Sequence, residues 1–159
     1  MEKLFDIPVR PDGASLIACL ARSSRPSRPH CIEIYLDAEV EDAVALRFGL
    51  EADLDRSDPF FLQKRRIAVQ RFLGYDYVLA GASGFALELP RRVGDDADAG
   101  SLARSGGRVY VEEGRGPITS WAEFEAYSWP DPSAADTREL EWYEKNLPDD
   151  MCVLGGLAG

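Results

Sequence analysis

Apolar, strand-like segments that alternate with helical patterns constrain this chain more than any other feature of it. The first is His30-Cys31-Ile32-Glu33-Ile34-Tyr35-Leu36, where Ile32, Ile34 and Leu36 share one face and Cys31, Glu33 and Tyr35 the other. Asp37 ends that segment and stands where a helix over 39–48 needs its N-cap. Val40, Val44 and Phe48 repeat there at helical spacing, and Gly49 supplies the stop. A second helical pattern has Ser57 or Asp58 as its cap, Pro59 in its first turn, Leu62, Val69 and Phe72 on one face, and Gly74 at its end. Residues 76–82 then read as a second buried strand, and the apolar run from Met151 as a third.

Other elements surround this framework. Asp12 is placed to cap a short helix over 13–22, and the Ser/Arg/Pro-rich stretch 23–29 reads as a connector. Residues 85–93 and 108–112 look extended and flank a Gly/Asp/Ser-rich loop over 94–107, which predicts a peripheral hairpin. Pro90 makes its first arm an edge strand or a broken one. Ser120-Trp121-Ala122-Glu123 matches a capping box and predicts a helix to about Tyr127. Trp129-Pro130-Asp131-Pro132 ends it, since proline lacks a donor and restricts the residue before it. A further helix over 134–146 carries Leu140 and Tyr143, with Leu147 continuing the spacing.

Strands separated by helices imply parallel pairing through crossovers, hence an α/β fold. A parallel strand needs cover on both faces, and the closing apolar segment has no helix after it to provide one. The order therefore predicts a partial (β/α)8 TIM barrel: the first parallel strands of a barrel that normally takes roughly 250 residues, with an added hairpin. The expected organisation is a single domain over 1–159, with 1–29 as N-terminal helix and connector and 30–159 as barrel-like units. A small, self-contained layered α/β domain is the alternative.

Charge and composition narrow the partners. The balance of 28 acidic against 18 basic residues gives a net charge of −10. A field of that sign repels phosphate backbones and anionic lipid, so neither nucleic acid nor membrane is expected as a partner. The basic run Lys64-Arg65-Arg66 lies within a helical pattern and reads as a solvated face. No signal-like or membrane-spanning segment is evident, which makes the cytoplasm the expected location. Cys19, Cys31 and Cys152 form no CxxC pair, which suits a reducing compartment, and the latter two read as small buried hydrophobes. With His30 the sole histidine, no metal site is expected.

Several blocks also resemble the N-terminal part of the uroporphyrinogen decarboxylase superfamily, which includes corrinoid-linked methyltransferases. They are Pro29-His30-Cys31-Ile32-Glu33-Ile34-Tyr35-Leu36-Asp37, then Phe72-Leu73-Gly74-Tyr75-Asp76-Tyr77-Val78, and finally Gly116-Pro117-Ile118-Thr119-Ser120-Trp121 followed by Trp129-Pro130-Asp131-Pro132. The resemblance spans about Arg28 to Gly159. It implies a (β/α)8 barrel with its pocket at the carboxyl ends of the strands, and either tetrapyrrole decarboxylation or corrinoid-dependent methyl transfer. A small-molecule substrate is thus implied and a corrinoid is a possible cofactor, although none is expected to be held within this chain alone. The departures are specific. The arginine-rich segment that grips substrate carboxylates is absent near His30 to Asp37, and Gly81-Ala82-Ser83-Gly84 stands where the decarboxylases place a catalytic aspartate. The methyltransferases' zinc ligands belong to a later half that these residues do not include.

Within such a barrel, chemistry sits at strand ends. If Ile32, Ile34 and Leu36 pack against helices, Glu33 and Tyr35 point into the lumen. A carboxylate there must be paired or used, which makes Glu33 the catalytic candidate and a structural hydrogen bond its alternative role. Tyr35, Asp37 and Ser83 are the substrate-binding candidates; a core aromatic, a helix cap and a plain loop serine are the simpler readings of the three. The terminal glycines 155–159 lack the spacing of a dinucleotide fingerprint. Trp121, Trp129 and Trp142 read as packing anchors. The expected function is the N-terminal part of a uroporphyrinogen decarboxylase-like enzyme, incomplete for catalysis alone. A non-catalytic corrinoid or tetrapyrrole binding module is the alternative, as is a partner that completes a split barrel. Self-association, or pairing with a complementary C-terminal half, is expected from the uncovered strand.

Overall fold

A computed structural model of the chain describes residues 9–33, 36–84, 89–94, 108–111, 114 and 116–155. It is mixed α/β, with five helices, one parallel strand pair and one antiparallel pair among the described residues, and these strands do not close into a barrel. The elements are α1 (Gly13–Leu20), α2 (Ala38–Phe48), α3 (Phe61–Leu73), β1 (Tyr77–Ala80), β2 (Arg91–Gly94), β3 (Arg108–Val111), α4 (Trp121–Ala126), α5 (Arg138–Asn146) and β4 (Cys152–Gly155). They fall into two compact units. Met1–Gly81 with Thr137–Leu157 form the first; Ala82–Asp136 with Ala158–Gly159 form the second.

The first unit is built on β1 and β4, which pair in parallel with Tyr77 opposite Cys152 and Ala80 opposite Gly155. The Cys152 N–H extends this ladder by donating to the Asp76 carbonyl at 3.0 Å. Val78, Ala80, Tyr143 and Met151 form the core, with Ile67 of α3 and Leu140, Trp142 and Leu147 packed against it. α1 docks on the start of β4 because residue 13 is glycine. A Cβ there would stand 2.6 Å from both the Cys152 nitrogen and the Met151 carbonyl carbon, closer than any side chain tolerates. The Gly13 N–H spends its hydrogen bond on the Asp150 carbonyl at 2.8 Å.

Helix ends follow the local chemistry closely. Asp12 caps α1 by accepting from the Ser15 N–H, and Gly49 and Gly74 end α2 and α3 in the left-handed conformation at φ 65° and 81°. Other boundaries differ from expectation. α3 starts at Phe61, because Asp58 accepts from the Phe60 N–H at 2.7 Å and so closes a turn before the helix instead of capping it. α5 starts at Arg138, because Asp131 and Pro132 first form a separate 3₁₀ turn, Pro132–Ala134. The buried face of α2 carries Glu41 and Ala45, and Leu62 of α3 is exposed.

The largest departure is at 30–36. The described residues here, His30 to Glu33 and Leu36, form no strand, and Ile32 is exposed. Ile34 and Tyr35 lie outside the described residues. The physical reason is visible at Glu33: its N–H donates to the Tyr77 hydroxyl and its carbonyl accepts from that same hydroxyl, both at 2.7 Å. Backbone groups that a ladder would use are bonded to a side chain. Cys31, expected to be buried, is exposed. The run Lys64-Arg65-Arg66 is not a solvated face either; each member meets an acid, Asp58, Asp42 and Glu139 respectively, and Arg65 is only 16% exposed.

In the second unit β2 and β3 pair antiparallel, Arg91 with Val111 and Gly94 with Arg108, as the expected hairpin requires. Residues 85–88 of its first arm, the loop 95–107 and Glu112 lie outside the described residues. Pro90 directly precedes β2, where its missing donor costs no ladder bond. Ser120 caps α4 by accepting from the Glu123 N–H, while Glu123 reaches back to the N–H and hydroxyl of Thr119 at 2.7 and 2.6 Å. Trp121, Phe124 and Trp129 lie edge to face and are exposed, so only Trp142, stacked on Phe60 in the first unit, is a packing anchor.

Candidate functional site

Asp76 is fully buried just ahead of β1, and a buried carboxylate must be compensated on every side. Its Oδ1 accepts from the Asp12 N–H at 2.7 Å and from Arg28 Nη2. Its Oδ2 accepts from Arg28 Nη1 at 3.3 Å and from His30 Nδ1 at 2.7 Å. Arg28 also donates to the carbonyls of Arg10 and Pro29, at 3.0 and 3.1 Å, so its planar fork ties three segments together. Burial alone would raise the Asp76 pKa; the hydrogen bonds from His30, Arg28 and Asp12 and the Arg28 charge outweigh it and hold the carboxyl below its ordinary value.

The histidine continues the chain of bonds. His30 Nε2 lies 3.1 Å from the Ser15 hydroxyl, in the first turn of α1. Because an ionised carboxylate only accepts, the ring proton between His30 and Asp76 sits on Nδ1. When the ring is neutral its lone pair lies at Nε2, where the serine hydroxyl can donate to it. The His30 side chain is 5% exposed, whereas Ser15 is half-buried. Beside this cluster, burial raises the Tyr77 phenol, and burial together with the Asp76 charge raises the Cys152 thiol.

The residues singled out from sequence are not gathered here. Glu33 is exposed; its backbone bonds the Tyr77 hydroxyl, and its charge adds to burial in raising the Tyr75 and Tyr77 phenols. It is thus not the lumen-facing buried carboxylate expected. Asp37 stands at the N-cap of α2 but makes no side-chain capping bond; its carbonyl accepts from the N–H groups of Val40 and Glu41. Ser83 is exposed in the second unit and pairs through its backbone with Asp136. Tyr35 lies outside the described residues. Among the described residues no group of histidine, cysteine and carboxylate side chains is arranged to hold a metal ion, and no helix is long and apolar enough to cross a membrane.

Sequence reasoning missed Ser15, Arg28 and Asp76 because they looked like a helix residue, a connector residue and a strand start. The available signal was the lone histidine, His30, set two residues after an arginine in an otherwise apolar segment. Comparison with family models, curated proteins and solved structures finds no match for this chain.

Proposed function

We propose that this chain is the opening portion of a β/α-barrel enzyme of the uroporphyrinogen decarboxylase kind, acting on a tetrapyrrole or a corrinoid once its sheet is extended. The observation that carries this reading is the parallel pairing of β1 with β4, with α5 immediately preceding β4. Parallel strands occur almost entirely in larger sheets covered on both faces, and an isolated two-stranded sheet is at best marginally stable. Among the described residues neither β1 nor β4 has a second neighbour. Two of the blocks that resemble the family also meet physically: His30 of the first bonds Asp76 of the second, and Arg28, the residue just before the first block, bonds it too.

Size-exclusion chromatography with light scattering, alongside thermal melting, tests the proposal. Strands that await neighbours are expected to drive self-association of the isolated chain, or its tight pairing with a chain bearing the remaining strands. A monomer that stays monomeric at high micromolar concentration and melts in one cooperative step contradicts it.

A further inference from the structure

Ser15, His30 and Asp76 stand in the order of nucleophile, base and orienting acid. We propose that Ser15 is an activated nucleophile, with His30 as its general base and Asp76 as the positioning residue that fixes the His30 tautomer, and that it reacts with small, uncharged acyl esters. The geometry meets the requirements of such a group: Ser15 Oγ lies 3.1 Å from His30 Nε2, and His30 Nδ1 lies 2.7 Å from Asp76 Oδ2. Both ends are held. The Ser15 N–H donates to the Asp12 carboxylate at 2.9 Å, which fixes the serine backbone, while Arg28 and the Asp12 N–H fix the Asp76 carboxylate. Ser15 is reachable, whereas the base behind it is only 5% exposed, so water competes poorly for the Nε2 lone pair.

The same features choose the substrate class. A nearly closed base admits only a small electrophile to the hydroxyl, and a net charge of −10 disfavours anionic esters. The reaction balances without a cofactor. Ser15 Oγ forms a bond to the carbonyl carbon as its proton passes to His30 Nε2. Collapse of the adduct breaks the ester C–O bond, and the departing alkoxide takes that proton. Water then adds to the acyl-serine, giving a proton to Nε2, and the carboxylic acid leaves as Ser15 regains it.

The full chain incubated with 4-nitrophenyl acetate provides the test. A burst of nitrophenolate is expected, with the acetyl group mapped to Ser15 by peptide mass spectrometry. Ser15→Ala abolishes the burst, and His30→Gln slows acylation by about a hundredfold or more, with circular dichroism checking that each variant folds. Nitrogen-15 NMR of the unmodified chain gives a reading that needs no variant: a neutral His30 protonated at Nδ1 and bare at Nε2. An adduct found only elsewhere, no adduct on the folded chain, acylation at an unchanged rate in His30→Gln, or a ring protonated at Nε2 instead of Nδ1 each overturns the proposal.

Discussion

Two buried tyrosines of the first unit differ in what their hydroxyls touch. The Tyr77 hydroxyl serves the N–H and the carbonyl of Glu33 at once, and so holds the segment after Arg28 to the start of β1. Tyr77→Phe leaves both backbone groups without that partner and is expected to cost about 1–3 kcal/mol in denaturant unfolding. Among the described residues no group lies within 3.5 Å hydrogen-bonding range of the buried Tyr143 hydroxyl, and burial pushes its pKa up to about 12. The Arg66 side chain is near enough to oppose that rise both by its charge and by its N–H groups, while the hydrogen bonds it makes within 3.5 Å go to the Leu79 carbonyl and the Glu139 carboxylate, each at 3.3 Å. Tyr143→Phe is therefore expected to be neutral or slightly stabilising, within roughly 1 kcal/mol, by the same measurement. Asp76 adds a pH dependence. Its pKa is lowered on folding, so its contribution is fully present above the ordinary carboxylate value near 3.8 and is lost as pH falls through the lower folded value. The melting temperature should drop below about pH 4, and Asp76→Asn should flatten that part of the profile.

Helices were legible in the sequence because their signals are local: Asp12 and Ser120 cap, Gly49 and Gly74 stop, and each acts within a few residues of the turn it controls. The segment 30–36 was not, although its alternation is the cleanest in the chain. Alternation states which side chains share a face, but a strand also needs a neighbour, and here Tyr77, 44 residues away, takes the Glu33 backbone instead. The close seat of α1 on β4 was likewise invisible, since it depends on a glycine 139 residues before its contact. Gly13→Ala tests that seat. Its Cβ collides with backbone rather than a yielding side chain, so a loss of about 1–3 kcal/mol or more is expected from unfolding curves. An unchanged midpoint means that α1 does not pack there.

Across the whole molecule, one carboxylate joins what periodicity cannot connect: the Asp12 N–H ahead of α1, Arg28 in the connector, His30 beyond it and β1 itself. Only side-chain chemistry at long sequence separation produces such a junction, which is why sequence reasoning pointed to Glu33, Tyr35, Asp37 and Ser83 and not to the groups that converge on Asp76. Both the strand start and the reactive serine depend on Asp76 being ionised and fully bonded. Guanidinium unfolding of the chain and of Asp76→Asn at neutral pH, followed by circular dichroism, measures that dependence directly. Asparagine keeps one acceptor oxygen but loses the charge and turns an NH2 toward donors that Asp76 had accepted from, Arg28 or His30 among them, so a loss of about 3 kcal/mol or more is expected; a loss under about 1 kcal/mol, the size found for exposed ion pairs, contradicts the account.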